Sequence, residues 1–338
     1  MKARAPATNT PPVPHTDDVL QALELARRAA ASDVCEATLH ALETAVDDLA
    51  TAYPRARPGD LLERVRRHLS YTARLLDGRK TLSEHRRLLV AGGWLSLLAS
   101  TCHIDLRQFP AATTRLRTAE HLAREGDHPE ILAWCLETQA WRAITGGDYR
   151  HAVTLSQSAQ QIAPKGGSAY VQASAQEGRA WARLGGVAET RVALAKVNRL
   201  AAGMPAPDRP EHHYRYDPAK SDAYTATTLA WVGDPAAEPY ARQVLARMES
   251  GIMGAPRPRR AASARLDLAL ALLAADKPDE AARHAMTAVT SGVLVPSNHW
   301  RAEEVITAIQ ARDLPETADL VEAYQETCGA GGLPPATG

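Results

Sequence analysis

The segment His212-His213-Tyr214-Arg215-Tyr216-Asp217-Pro218-Ala219-Lys220 crowds two imidazoles, two phenols, a carboxylate and an ammonium together. Elsewhere Glu137, Gln172, Arg179 and Tyr224 carry polar groups, and Trp94, Trp134 and Trp141 carry large aromatic faces. A carboxylate, an imidazole and a phenol such as Glu137, His213 and a tyrosine are competent for acid–base chemistry if one cleft holds them. His212, His213 and Asp217, helped by His103 and Asp105, would be the donor set for a metal ion. Adjacent histidines on an extended segment point to opposite sides and do not readily share one ion, so no metal site is assigned. No cofactor is expected. The sequence contains no GxSxG, HExxH, Walker loop or GxGxxG following a strand. Without such a signature the chain reads as a binder, with catalysis as an alternative.

Composition narrows the class further. The chain has 338 residues, a single Phe, and an apolar fraction carried mostly by Ala and Leu. Both are strong helix formers, and Ala allows close helix packing, so the expectation is an all-α protein. Lys+Arg and Asp+Glu balance at 39 each. A free-standing DNA binder draws affinity from a basic surface, so direct DNA binding is not expected. The cysteines, Cys35, Cys102, Cys135 and Cys328, form no CxxC pair and fit no zinc spacing; they are expected to be buried thiols of a reducing cytoplasm. No apolar segment follows Lys2 and Arg4 as in a signal peptide, and no run of 18 uncharged apolar residues is apparent. A cytoplasmic location is expected.

The positioning elements follow from periodicity. Residues 1–17, with Pro6, Pro11, Pro12 and Pro14, are expected to form a disordered tail. Helical patterning starts near Asp18. A second helix is expected from about Ser32, as N-cap, to just before Pro54, and a third after Pro58-Gly59-Asp60, closed by Asp77-Gly78. Thr81 and Glu84 have capping-box spacing. Gly147-Asp148-Tyr149, followed by Ala152, Ala159 and Pro164, has the spacing of the second half of a tetratricopeptide repeat. Phe109, Val187, Pro235 and Pro278 anchor related copies, and the five anchors stand 40, 38, 48 and 43 residues apart. The usual period is about 34, so the array should be irregular. The expected fold is therefore an all-α, tetratricopeptide-like helical-repeat solenoid of antiparallel helix pairs with a concave groove, spanning residues 18–328. Residues 204–218, rich in proline, interrupt it as an irregular loop or lid, and residues 329–338 form a second tail.

With those stretches in view, the chain resembles the C-terminal sensor region of actinobacterial, Streptomyces-type helix-turn-helix transcriptional regulators. The matching segments are Leu75-Leu76-Asp77-Gly78, Ala91-Gly92-Gly93-Trp94-Leu95, Ala133-Trp134-Cys135-Leu136-Glu137-Thr138-Gln139-Ala140-Trp141, Gln176-Glu177-Gly178-Arg179-Ala180-Trp181-Ala182-Arg183-Leu184-Gly185 and the His-His loop. The likeness covers roughly residues 20–325. It implies an N-terminal DNA-binding bundle of some 60 residues ahead of this region. Only about 17 Pro-rich residues stand there, so the likeness supports the sensing half alone.

In a tetratricopeptide repeat, positions 2, 5, 9 and 12 of the first helix line the concave face. Counting back from the anchors puts Trp94, Trp134, Glu137, Trp141, Gln172, Arg179 and Lys220 on that face. Aromatic walls with a few converging polar groups suit a small molecule or a short peptide. Helix-packing core for the tryptophans, and an inter-repeat ion pair for Glu137 and Arg179, are the structural alternatives. His213 and Tyr216 would close over the groove, with Tyr224 beside it, Lys220 facing inward and Asp217 capping the helix after Pro218. The functional expectation is a cytoplasmic sensor or adaptor. Its alternatives are a protein-interaction scaffold and an enzyme of specialised metabolism on a co-opted sensor fold. A protein partner and a homodimer are the associated partner expectations.

Overall fold

A computed structural model of the chain describes residues 16–205, 207–209, 211–250, 258–294, 298–312, 314 and 317–328, excepting the side chains of residues 16–19, 219, 220 and 328. Among the described residues there are fifteen helices and no strand. They are α1 (Thr16–Ala29), α2 (Glu36–Ala52), α3 (Pro58–Asp77), α4 (Leu82–Asp105), α5 (Phe109–Glu125), α6 (Pro129–Thr145), α7 (Tyr149–Ile162) and α8 (Ser168–Arg183). There follow α9 (Val187–Ala202), α10 (Ala219–Val232), α11 (Ala237–Ser250), α12 (Pro258–Ala274), α13 (Pro278–Val289), α14 (His299–Gln310) and α15 (Thr317–Cys328).

The helix starts follow local chemistry. Thr81 accepts from the Glu84 amide while the Glu84 carboxylate accepts from the Thr81 amide, so the expected capping box forms at α4. Proline stands in the first turn of α3, α5, α6 and α13, where its missing N–H removes no helical bond. The second helix starts later than expected, at Glu36 behind Cys35. The Ser32 hydroxyl instead bonds the Val34 amide at 2.9 Å and the Glu84 carboxylate at 2.6 Å, so it ties a loop to α4. The tails read from the sequence fall in residues 1–15 and 329–338, outside the described residues, while Thr16 and Asp17 already belong to α1.

The helix ends share one device. Gln108, His128, Asp148, Gly186, Asp234 and Lys277 each donate a backbone N–H to the carbonyl five residues earlier, at 2.8–3.0 Å. The residue before each donor has positive φ: Arg107, Asp127, Gly147, Gly185, Gly233 and Asp276. This is the Schellman closure, which satisfies carbonyls left open by the last helical turn. All five sequence anchors stand two residues past such a left-handed residue, so the anchors mark a real structural phase.

Consecutive helices pack as pairs along most of the chain, and the even-numbered helices α2 to α14 also pack in sequence on one another. Small residues permit this. Ala112, Ala119, Ala152, Ala159, Ala281, Ala285 and Ala288 are fully buried. At Gly178 a Cβ would stand 3.0 Å from that of Ala193, so α8 and α9 approach closely there. Helix α4 qualifies the reading of a chain without membrane-length apolar segments. By length and hydropathy it is long and apolar enough to cross a membrane, yet 83% of its apolar window is buried inside the fold, as in a core helix. Cys102 and Cys135 are buried, as expected, but Cys35 is exposed at the start of α2.

The left-handed turns set a stability test. Gly147 has open space where a Cβ would stand, so Gly147→Ala should cost only the left-handed backbone penalty, about 1 kcal/mol. Asp276→Gly should have the opposite sign. Denaturant midpoints of the two variants check both directions.

Candidate functional site

The even-numbered helices bring their inner faces to one cavity of about 260 Å³. On α6, Trp134, Glu137 and Trp141 are three and four residues apart and share a face. On α8, Gln172, Gln176 and Arg179 do the same. Tyr224 of α10, Ser263 of α12, and Trp300 with Arg301 of α14 complete the wall. Thus Trp134, Glu137, Trp141, Gln172, Arg179, His213 and Tyr224, all named from the sequence, converge on one space.

The polar lining is a connected chain. Glu137 is buried and accepts from Gln172 at 3.0 Å and from Gln176 at 2.9 Å. The Gln176 carbonyl oxygen accepts from Nη1 of Arg179 at 3.0 Å. Gln172 also donates to the Tyr224 hydroxyl at 3.1 Å. Glu137 and Arg179 are therefore joined through Gln176, in place of the direct inter-repeat ion pair that was the structural alternative. Arg179 is only 2% exposed. Its Cζ lies 5.3 Å from the Tyr224 ring, 5.1 Å from Trp231 and 5.6 Å from Trp300. Burial first, and the neighbouring Arg301 second, push its pKa down to about 10. It remains protonated at neutral pH. Arg301 bonds Asp267 at 2.9 Å, and Asp267 also accepts from Thr227 at 2.6 Å. Burial pushes the Asp267 pKa upward.

Three sequence-named residues fall elsewhere. Trp94 packs against Tyr214 and His128, with ring centroids 5.1 and 5.7 Å away, and is absent from the cavity wall. Tyr214 of the loop packs against both Trp94 and Trp134. Tyr216 is 2% exposed, bonds Ser221 at 2.8 Å and belongs to the packing around Val171 and Val197. Lys220 lies in α10, and its side chain is outside the described residues.

The loop is fastened to α2 and α4 by several contacts. The His213 amide donates to the Ala50 carbonyl at 3.1 Å, and its ring lies 4.2 Å from Tyr53. His212 bonds Asp47 at 3.1 Å, Arg215 bonds Asp47 at 3.0 Å, and Arg209 bonds Asp48 at 2.6 Å. Tyr214 is buried and its hydroxyl meets Thr101 at 3.2 Å. The two histidines serve different partners, and no group of three or more metal-ligating side chains occurs among the described residues. Asp217, expected to cap α10, pairs with Arg260 at 2.6 Å, and Pro218 holds the cap position.

Sequence counting missed much of the opposite wall. Tyr53, Arg259, Arg260, Trp300 and Arg301 line the cavity from segments far apart in the chain. Arg259 donates to the Pro54 carbonyl, Arg183 pairs with Glu304, and Arg107 pairs with Glu303 at 2.6 Å. These contacts bring α12 and α14 against the earlier helices. A repeat register describes neighbours and carries no signal for such closure. No protein-family model, curated protein or solved structure significantly matches the chain.

Behind Tyr53, Asp105 accepts the phenol proton at 2.8 Å, and burial pushes its pKa up to about 7. The native state thus binds a proton more tightly than the unfolded chain, whose Asp titrates near 4. This stabilisation is complete below about pH 4 and lost as pH rises through about 7. Asp105→Asn should remove that loss. The variant's melting temperature relative to the parent should therefore rise between pH 5 and 8, as differential scanning calorimetry would show.

Proposed function

We propose that this protein is a ligand-responsive regulatory module. It takes a small organic molecule into its cavity and reports occupancy to a protein partner. The observation that carries the reading is the make-up of the cavity: Trp134, Trp141 and Trp300 beside a buried Arg179 and a buried Glu137. Indole faces supply apolar contact area, and a few converging polar groups fix orientation. The volume of about 260 Å³ lies just below the usual range for ligand pockets, about 300–1,000 Å³, which suits a compact ligand. Arg259, joined to the Pro54 carbonyl, links the two walls, which favours a compact ligand over an extended peptide.

The tetratricopeptide-like solenoid with an inner groove belongs to the same proposal. It is supported by the five anchors in phase with left-handed turns and by the sequential packing of the even-numbered helices. The resemblance to the sensor region of actinobacterial regulators supports a sensing role in the cytoplasm. A ligand touching both walls favours the joined arrangement. If its affinity differs between joined and parted walls, binding shifts their populations and changes the surface a partner meets. The balanced net charge gives no support to direct DNA binding, so regulation would pass through that partner.

Native mass spectrometry of protein purified from its own host tests the reading. The parent should retain an adduct of small-molecule mass. Trp141→Ala should lose it, and Trp94→Phe, altered outside the cavity, should keep it. Equal retention by Trp141→Ala, or a stoichiometric protein partner with no small molecule, would overturn the cavity reading.

A further inference from the structure

Four guanidinium groups reach the cavity lining, and three of them are engaged. Arg260 pairs with Asp217 at 2.6 Å and with Glu211 at 3.2 Å. Arg301 pairs with Asp267 at 2.9 Å. Arg259 donates to the Pro54 carbonyl from a partly exposed position. Arg179 differs from all three. Nη1 bonds Gln176, but neither Nε nor Nη2 has a hydrogen-bond partner among the described residues.

Those two nitrogens form one edge of the guanidinium plane. Their N–H bonds run side by side at the spacing of two carboxylate oxygens, which is the basis of bidentate arginine–carboxylate recognition. The surrounding rings of Tyr224, Trp231 and Trp300 stabilise the cation but offer it no in-plane acceptor. Buried donors are rarely left unmatched, because the desolvation they suffer is not returned. A buried cation with a whole edge unmatched is therefore poised for an anion.

We propose that the cavity takes a monocarboxylate with an aromatic or otherwise apolar body, bound bidentate on the Nε–Nη2 edge of Arg179 with its body against Trp134, Trp141 and Trp300. The inference rests on the cavity reading above and adds the chemical class of its ligand. A single carboxylate fits because Arg179 has two adjacent unmatched nitrogens on one edge, whereas at Arg301 the buried unmatched nitrogen is Nε alone and Arg260 already holds two carboxylates. Glu137, linked to the same arginine through Gln176, disfavours a dianion such as a phosphate monoester. Its Oε1 already accepts from two amides, so it is a poorer anchor for a cationic ligand. Trp300 lies in the first turn of α14 and Arg179 on α8, so a ligand held by both joins the two walls.

Isothermal titration calorimetry with 2-naphthoate, its neutral isostere 2-naphthamide and the cationic 2-naphthylmethylamine tests the class. The parent should bind the naphthoate about tenfold or more tighter than the naphthamide, the scale of one charge-assisted contact. Arg179→Lys keeps the charge but lacks the edge, and Arg179→Gln lacks both. Each should lose the preference while still binding the naphthamide, which also reports that the variant is folded. In the parent, the Arg179 Nε–H resonance should move on adding naphthoate, a readout that survives if a variant does not fold. Equal binding of naphthoate and naphthamide, tighter binding of the amine, or an unchanged preference in both variants would overturn the carboxylate assignment and leave the cavity reading standing. Binding by none of the three probes would remove the cavity reading, and this inference with it.

Discussion

Alanine at positions without solvent exposure sets how closely the helices of this protein approach. Ala112, Ala119, Ala152, Ala159, Ala281, Ala285 and Ala288 hold neighbouring backbones close together, where larger side chains would force the axes apart. The left-handed residue at each turn then sends the chain back along the helix it has left. Together these two local features place the even-numbered helices side by side. Residues from separate helix pairs thereby come to line one cavity.

That surface creates an electrostatic problem that the molecule solves only in part. Arg179 is buried with three aromatic rings around it and a single hydrogen bond to Gln176. The rings attract the cation through their quadrupoles, and Glu137 contributes from one glutamine away. Neither gives the Nε–Nη2 edge an acceptor. The nearby Arg301 is held by Asp267, so the pair of guanidiniums is unequal in what each lacks. A wholly structural arginine would be expected to have carboxylate partners, as Arg260 has in Glu211 and Asp217.

The loop through His212 and Tyr216 explains how the cavity keeps its shape. It inserts Tyr214 against Trp94 and Trp134 and is tied to α2 through Asp47 and Asp48. It spans the chain between α9 and α10 while bonding residues near position 50, so it fastens distant helices to one another. Arg107, Arg183 and Arg259 do the same for the C-terminal helices. Most of these pairs are partly exposed and individually weak. Their effect on the walls comes from joining segments that would otherwise be related only through the intervening helices.

The sequence alone determined the all-helical class, the capping box at Thr81 and the phase of the five anchors, and it put Trp134, Glu137, Trp141, Gln172 and Arg179, which line one cavity, on the same counted helix faces. Each depends on spacing within one hairpin, where 3.6-residue periodicity and turn chemistry are local and legible. It did not foresee that Trp94 and Tyr216 pack away from the cavity wall, because that outcome turns on what packs from elsewhere. It did not reveal Tyr53, Arg259, Trp300 or Arg301 as cavity walls. Only the tertiary structure decided these, since contacts between segments a hundred or more residues apart leave no periodic trace in the chain. The unmatched edge of Arg179 belongs to the same class: whether a buried donor has an acceptor depends on every element around it.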